Sequence, residues 1–127
     1  MLTFEQERRV LAERVAKRIS LYSDVKRVIY FGSGARGEAD SYSDIDVCYT
    51  TEALIDRQKF VLDTEIRADL KRAEFRLGQG ARRIDLSYVS EEAFQNPEEY
   101  DVRLSFTEFI DNIIRDGITL WPKSNTA

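Results

Sequence analysis

The chain has 127 residues, 43% of them hydrophobic, with 23 acidic against 19 basic side chains and a formal charge of −4. A length of this order supports one modest core and no separate substrate domain, so one domain over residues 1–127 is expected. The negative balance argues against a protein whose main task is coating nucleic acid, and no direct nucleic-acid partner is expected.

No apolar run approaches the roughly 20 residues that a bilayer span needs, so no membrane partner is expected. Glu5, Glu7, Arg8 and Arg9 interrupt any signal-like core, and a lone cysteine, Cys48, excludes an internal disulfide. A cytoplasmic location is the default expectation. Histidine is absent, which leaves acid–base and metal duties to carboxylates.

Thr3 with Gln6 has the form of a capping box, and Leu11, Val15, Ile19 and Tyr22 then recur at helical spacing. An amphipathic helix is predicted over 4–21. Its charged residues (Arg8, Arg9, Glu13, Arg14, Lys17, Arg18) are assigned to a solvated face, the alternative being a face that docks a partner. The apolar run Val28-Ile29-Tyr30-Phe31 stops at Gly32, which predicts a first strand over Lys26–Phe31 followed by a turn. Gly32-Ser33-Gly34-Ala35-Arg36-Gly37 is too rich in glycine for a strand. Its small residues let backbone N–H groups approach an anion, above all if a short helix starts at Ser33.

After Ser41 and Ser43, the run Asp44-Ile45-Asp46-Val47-Cys48-Tyr49 alternates as a second strand. Asp44 and Asp46 then project from one face while Ile45 and Val47 enter the core. Two such carboxylates stand roughly 7 Å apart at the backbone, near enough to share divalent ions. Ile55, Leu62, Ile66, Leu70, Ala73 and Leu77 mark a long helix from about Leu54 to Leu77, ended by Gly78. Asp56, Asp63 and Asp69 on that helix are weaker metal candidates.

Lys71, Arg72, Arg76, Arg82 and Arg83 face a single Glu74 in the stretch from Lys71 to Arg83. They form either a solvated helix end or a positive rim for an acidic partner or the acceptor. Arg83–Val89 alternates as a third strand with Ile84, Leu86 and Tyr88 on one face and Asp85 on the other. A carboxylate in such a segment is costly unless paired, so Asp85 is either a bridge to an arginine or a third metal ligand. Ser90 opens a short turn, and Asn96-Pro97 caps a last helix carrying Val102, Phe106, Phe109, Ile110, Ile113 and Ile114, closed by Gly117. Ile118–Trp121 is predicted as an edge strand, and residues 1–3 and 123–127 are expected to fray.

Gly32-Ser33, ten intervening residues and then Asp44-Ile45-Asp46 resembles the signature of the DNA polymerase β-like nucleotidyltransferases. The wording GSGARG…SDID is similar to the minimal nucleotidyltransferases of that superfamily. Several of these are antitoxins paired with a small helical HEPN ribonuclease toxin. The resemblance implies an α/β (α+β) fold with a small mixed sheet packed against helices. It places a third carboxylate on a neighbouring strand, which favours the ligand reading of Asp85.

The implied activity is transfer of AMP from ATP to a tyrosine of a HEPN toxin. Asp44, Asp46 and Asp85 would be the catalytic and metal-binding residues, holding two Mg2+ ions, with Asp85 also accepting a proton. Gly32, Ser33, Arg36, Gly37 and Ser43 would bind the nucleotide, Ser33 through its hydroxyl and Arg36 by facing the departing pyrophosphate. Each part also has an ordinary explanation: a tight loop for the glycines, a turn cap for Asp44, a surface bridge from Arg36 to Glu38 or Asp40. Two other functions fit the residues, namely an antitoxin that masks its toxin without chemistry and an antibiotic nucleotidyltransferase that builds its acceptor pocket by dimerisation.

Overall fold

The computed structural model describes residues 1–40, 43–80, 82–100 and 104–122. Helix α1 (Phe4–Ile19) begins at the capping box, in which Thr3 Oγ1 accepts from the Gln6 amide at 3.2 Å and Gln6 Oε1 accepts from the Thr3 amide at 2.8 Å. Strand β1 (Val25–Phe31) leads through the glycine turn to β2 (Ile45–Thr51). Helix α2 (Asp56–Arg72) then carries the chain across to β3 (Ile84–Ser90). Helices α3 (Glu91–Gln95), α4 (Pro97–Tyr100) and α5 (Leu104–Asp116) follow, and β4 (Ile118–Trp121) ends the fold.

The sheet order is β3-β2-β1-β4. β1 pairs antiparallel with β2 and β4, whereas β2 and β3 are parallel, as a crossover through α2 requires. This is the small mixed sheet expected. Alternation along the strands sends side chains to two covered faces. Val28, Tyr30, Ile45, Val47, Tyr49, Ile84 and Leu86 pack with Ala12, Val15 and Ile19 of α1 and with Leu62, Ile66 and Leu70 of α2. Ile29, Cys48 and Val89 meet Ala93 and Phe94 of α3 and Ile110 and Ile113 of α5 on the opposite face.

Several boundaries differ from expectation. Helix α2 ends at Arg72 rather than running to Leu77. Glu74 takes a left-handed φ of 70°, its amide bonding the Lys71 carbonyl and the Phe75 amide the Leu70 carbonyl, both at 2.9 Å. That is a Schellman closure with glutamate where glycine is usual. Phe75 and Leu77 still join the core, but from a loop that returns to β3, where Ile84 donates to the Arg76 carbonyl. Ile55 precedes α2 and is 65% exposed, not part of its buried face. The last predicted helix is two, α4 and α5, and Ile114 points to solvent. Val102 and the tail 123–127 lie outside the described residues. Among the described residues no helix is long and apolar enough to cross a membrane.

Candidate active site

The sheet register decides the geometry. Asp46 on β2 and Asp85 on β3 are direct partners across the parallel ladder, so their side chains leave the same face side by side. Asp44 lies two residues before Asp46, just ahead of the first residue of β2. The three carboxylates each offer an oxygen within 4.8 Å of the others.

That crowding has an electrostatic cost. Burial, then the charges of Asp85 and Asp44, push the Asp46 carboxyl up to about 6. Asp85 is also raised, first by burial and then by Asp44, with Arg67 and a hydrogen bond to Asp46 pulling the other way. Burial is the first cause in both, and Asp46 retains its proton up to a pH of about 6. Asp44 Oδ1 accepts from the Gly80 amide at 2.5 Å. Oxygen donors gathered this closely suit a hard divalent cation, whose charge replaces the retained proton.

Gly32 sits against the triad with a φ of 81°, and a Cβ there would stand 2.3 Å from Asp46 Oδ2. Both the backbone conformation and the space exclude any other residue. At Gly34 a Cβ would lie 1.9 Å from the Tyr30 hydroxyl, so the turn rests directly on that ring. No helix starts at Ser33. Successive turns run through the segment instead, with Arg36 bonding the Gly32 carbonyl, Gly37 that of Gly34, and Glu38 that of Ser33. Among the described residues the amides of Ser33, Gly34 and Ala35 have no acceptor, which leaves donors available to an anion.

Arg36 forks between Glu38 Oε2 and Asp116 Oδ2, both at 3.0 Å. This is the surface bridge weighed against the phosphate role. Ser43 Oγ accepts from the Asp40 amide at 3.0 Å and donates to Asp40 Oδ1, which closes the loop before β2. Gly37 lies at the far end of the turn near Glu5. Asp63 accepts from the Tyr49 hydroxyl and pairs with Arg67, and Asp69 pairs with Arg18, so neither joins the triad. In the basic stretch Arg82 reaches Glu7 at 3.6 Å, and Arg83 donates to the Leu77 carbonyl.

Two contributors escape the sequence reading. Arg8, assigned to the solvated face of α1, is only 2% exposed. Its Nη1 donates to the carbonyls of Ser43 at 2.5 Å and Asp44 at 3.3 Å, and its Nη2 to that of Asp40 at 2.7 Å. The signal was its spacing, because Arg8 lies on the stripe of Ala12, Val15 and Ile19. Gly80 had no such signal; only the folded loop brings it to Asp44.

Residues 9–118 match the family described as Nucleotidyltransferase domain. No curated protein matches the chain. Distant likenesses among solved structures include a toxin–antitoxin with AMP-PNP, 15% identical, covering 96% of this chain and 76% of that one at a TM-score of 0.46. A mutant of the toxin–antitoxin MntA-HpeT is 16% identical, with 98% and 76% covered and a TM-score of 0.46. A nucleotidyltransferase candidate from Sulfolobus solfataricus is 16% identical, with 95% and 89% covered and a TM-score of 0.47. The matched span contains the glycine turn, the aspartate pair and Asp85, and the chain belongs to the nucleotidyltransferase domain family.

Proposed function

We propose that this nucleotidyltransferase moves AMP from ATP to a tyrosine of a HEPN-type ribonuclease toxin and thereby neutralises it. The observation that carries the chemistry is the approach of the Asp44, Asp46 and Asp85 oxygens to within 4.8 Å beside Gly32. The toxin as acceptor is supported by the likeness of Gly32–Gly37 and Ser43–Asp46 to the minimal nucleotidyltransferases.

Asp44, Asp46 and Asp85 would hold two magnesium ions, which when bound neutralise the triphosphate and polarise its α-phosphorus. The amides of Ser33, Gly34 and Ala35 donate to the phosphate tail, and the Ser33 hydroxyl adds a further donor. The tyrosyl oxygen bonds to the α-phosphorus as the bond to the bridging oxygen of the β-phosphate breaks, and pyrophosphate leaves. The hydroxyl proton passes to Asp85 and on to solvent. Arg36 exchanges one of its two carboxylates for the departing pyrophosphate. An AMP group on the toxin then blocks its RNA site by bulk and by repulsion of substrate phosphates.

Intact-mass measurement of a HEPN toxin incubated with the chain, ATP and magnesium tests this. The expected result is a gain of one or more AMP groups on a tyrosine, abolished by Asp44→Asn with Asp46→Asn. No gain with the cognate toxin overturns the reading.

A further inference from the structure

Asp46 and Asp85 are held by the sheet ladder, whereas Asp44 lies just outside it; the Gly80 amide bonds its carboxylate, and its backbone needs an anchor of its own. Its neighbour Ile45 donates to the Arg83 carbonyl at 2.9 Å. On the other side of Asp44 the chain runs through the loop ending at Ser43, whose backbone meets one side chain from a distant element. Arg8 of α1 takes the carbonyls of Asp40, Ser43 and Asp44 into a single guanidinium. Its Cζ also lies 4.9 Å from the Phe4 ring centroid.

A buried cation is costly unless it is hydrogen-bonded, and among the described residues Arg8 has no carboxylate partner. Its Nε is buried without a partner as well. Backbone carbonyls, with the face of the Phe4 ring, therefore compensate the charge, and the carbonyls belong to the segment that delivers Asp44. A lysine in this place has one donor centre and cannot span the Asp40 and Ser43 carbonyls as a rigid fork does.

We infer that Arg8 is a positioning residue for the metal site, setting the backbone of Asp44 so that its carboxylate meets those of Asp46 and Asp85. The inference rests on the metal-binding reading of the triad and deepens it. Arg8 touches neither metal nor nucleotide; it acts through Asp44. With Arg8 replaced, the loop loses a shared anchor for three carbonyls, and Asp44 no longer holds one position relative to the ladder.

Titration of Mn2+ against the full chain, followed by electron paramagnetic resonance, reads this without any transfer reaction. Arg8→Lys is expected to weaken Mn2+ binding by about tenfold and Arg8→Met by more, within the range of about 10–100-fold typical of residues that orient metal ligands. Arg18→Met, also on α1, removes the ion pair from Arg18 to Asp69 of α2, and is expected to leave Mn2+ affinity unchanged while lowering stability. Should Arg8→Met fail to fold, Arg8→Lys against Arg18→Met decides. Wild-type affinity in Arg8→Lys, or an equal loss in Arg18→Met, overturns the inference alone. No Mn2+ binding by the wild-type chain overturns the reading of the triad and the inference with it.

Discussion

The fold opposes ionisation of Asp46, first through burial and then through the charges of Asp85 and Asp44. The folded Asp46 value of about 6 lies above the ordinary 3.8, so the folded state favours the protonated form. Stability from this group is complete below the ordinary value and is lost as pH rises through about 6. In metal-free protein Asp46→Asn is therefore expected to raise the melting temperature at pH 7 by about 4 °C and to change it little at pH 4. A calorimetric scan at the two pH values checks this, and equal shifts at both would contradict it.

Gly32→Ala makes a complementary test of space. The added methyl collides with Asp46 Oδ2 at a left-handed φ, so nucleotide transfer should fall by about 100-fold, comparable to removing a preorganised donor. Activity within a few-fold of wild type would show that the turn can retreat. At this scale the aspartates were legible because alternation along a strand places side chains by simple parity. Arg8 was not, because a charge on an amphipathic helix is ordinarily read as surface although its spacing put it on the buried stripe. The Gly80 contact joins residues 36 apart in the chain, and no local pattern records such a meeting.

Helices and strands with clear periodicity matched their predicted type, since burial against a sheet enforces the same repeat that the sequence displays. Boundaries failed where the stop lacked its usual residue. Helix α2 closes through Glu74 at a φ of 70°, an arrangement that glycine adopts without strain. Glu74→Gly should stabilise the fold by about 0.5–1 kcal/mol, read as a higher urea midpoint. A lower midpoint would mean that the glutamate side chain contributes more than its backbone costs.

The opposite end of the sheet is held by a different device. Glu91 at the start of α3 receives Arg27 Nε at 2.8 Å, Arg27 Nη2 at 2.6 Å and Thr50 Oγ1 at 3.2 Å, while Arg27 lies 4.4 Å from the Phe94 ring centroid. Glu91→Ala leaves the arginine facing an apolar layer without its partner. A loss of about 2 kcal/mol in denaturant unfolding is expected, and no loss would show the pair to be ornamental. Neither Arg27 nor Glu91 stood out in the sequence, because a pair separated by a helix and two strands has no spacing rule.

Across the whole molecule, the parallel step from β2 to β3 is what turns two distant sequence motifs into one site. Helix α2 carries the chain over one face so that Asp85 returns beside Asp46 rather than at the far edge. The fold class was legible through the family resemblance that the Gly-Ser turn and the aspartate pair carry. The packing of α3 and α5 over the second face was not, since their apolar residues fix a buried side without saying which surface receives it.

If neutralisation of a toxin is chemical, Asp44→Asn with Asp46→Asn should abolish protection of toxin-expressing cells while the protein still folds. Full protection by the double variant would instead indicate masking. Calorimetric titration of ATP in the presence of magnesium shows whether three aspartates and a glycine turn form a centre for metal-bound ATP. Saturable binding to the wild-type chain that requires magnesium and disappears in Asp44→Asn with Asp46→Asn is expected. Binding that is absent, or that is unchanged in the double variant, would contradict it.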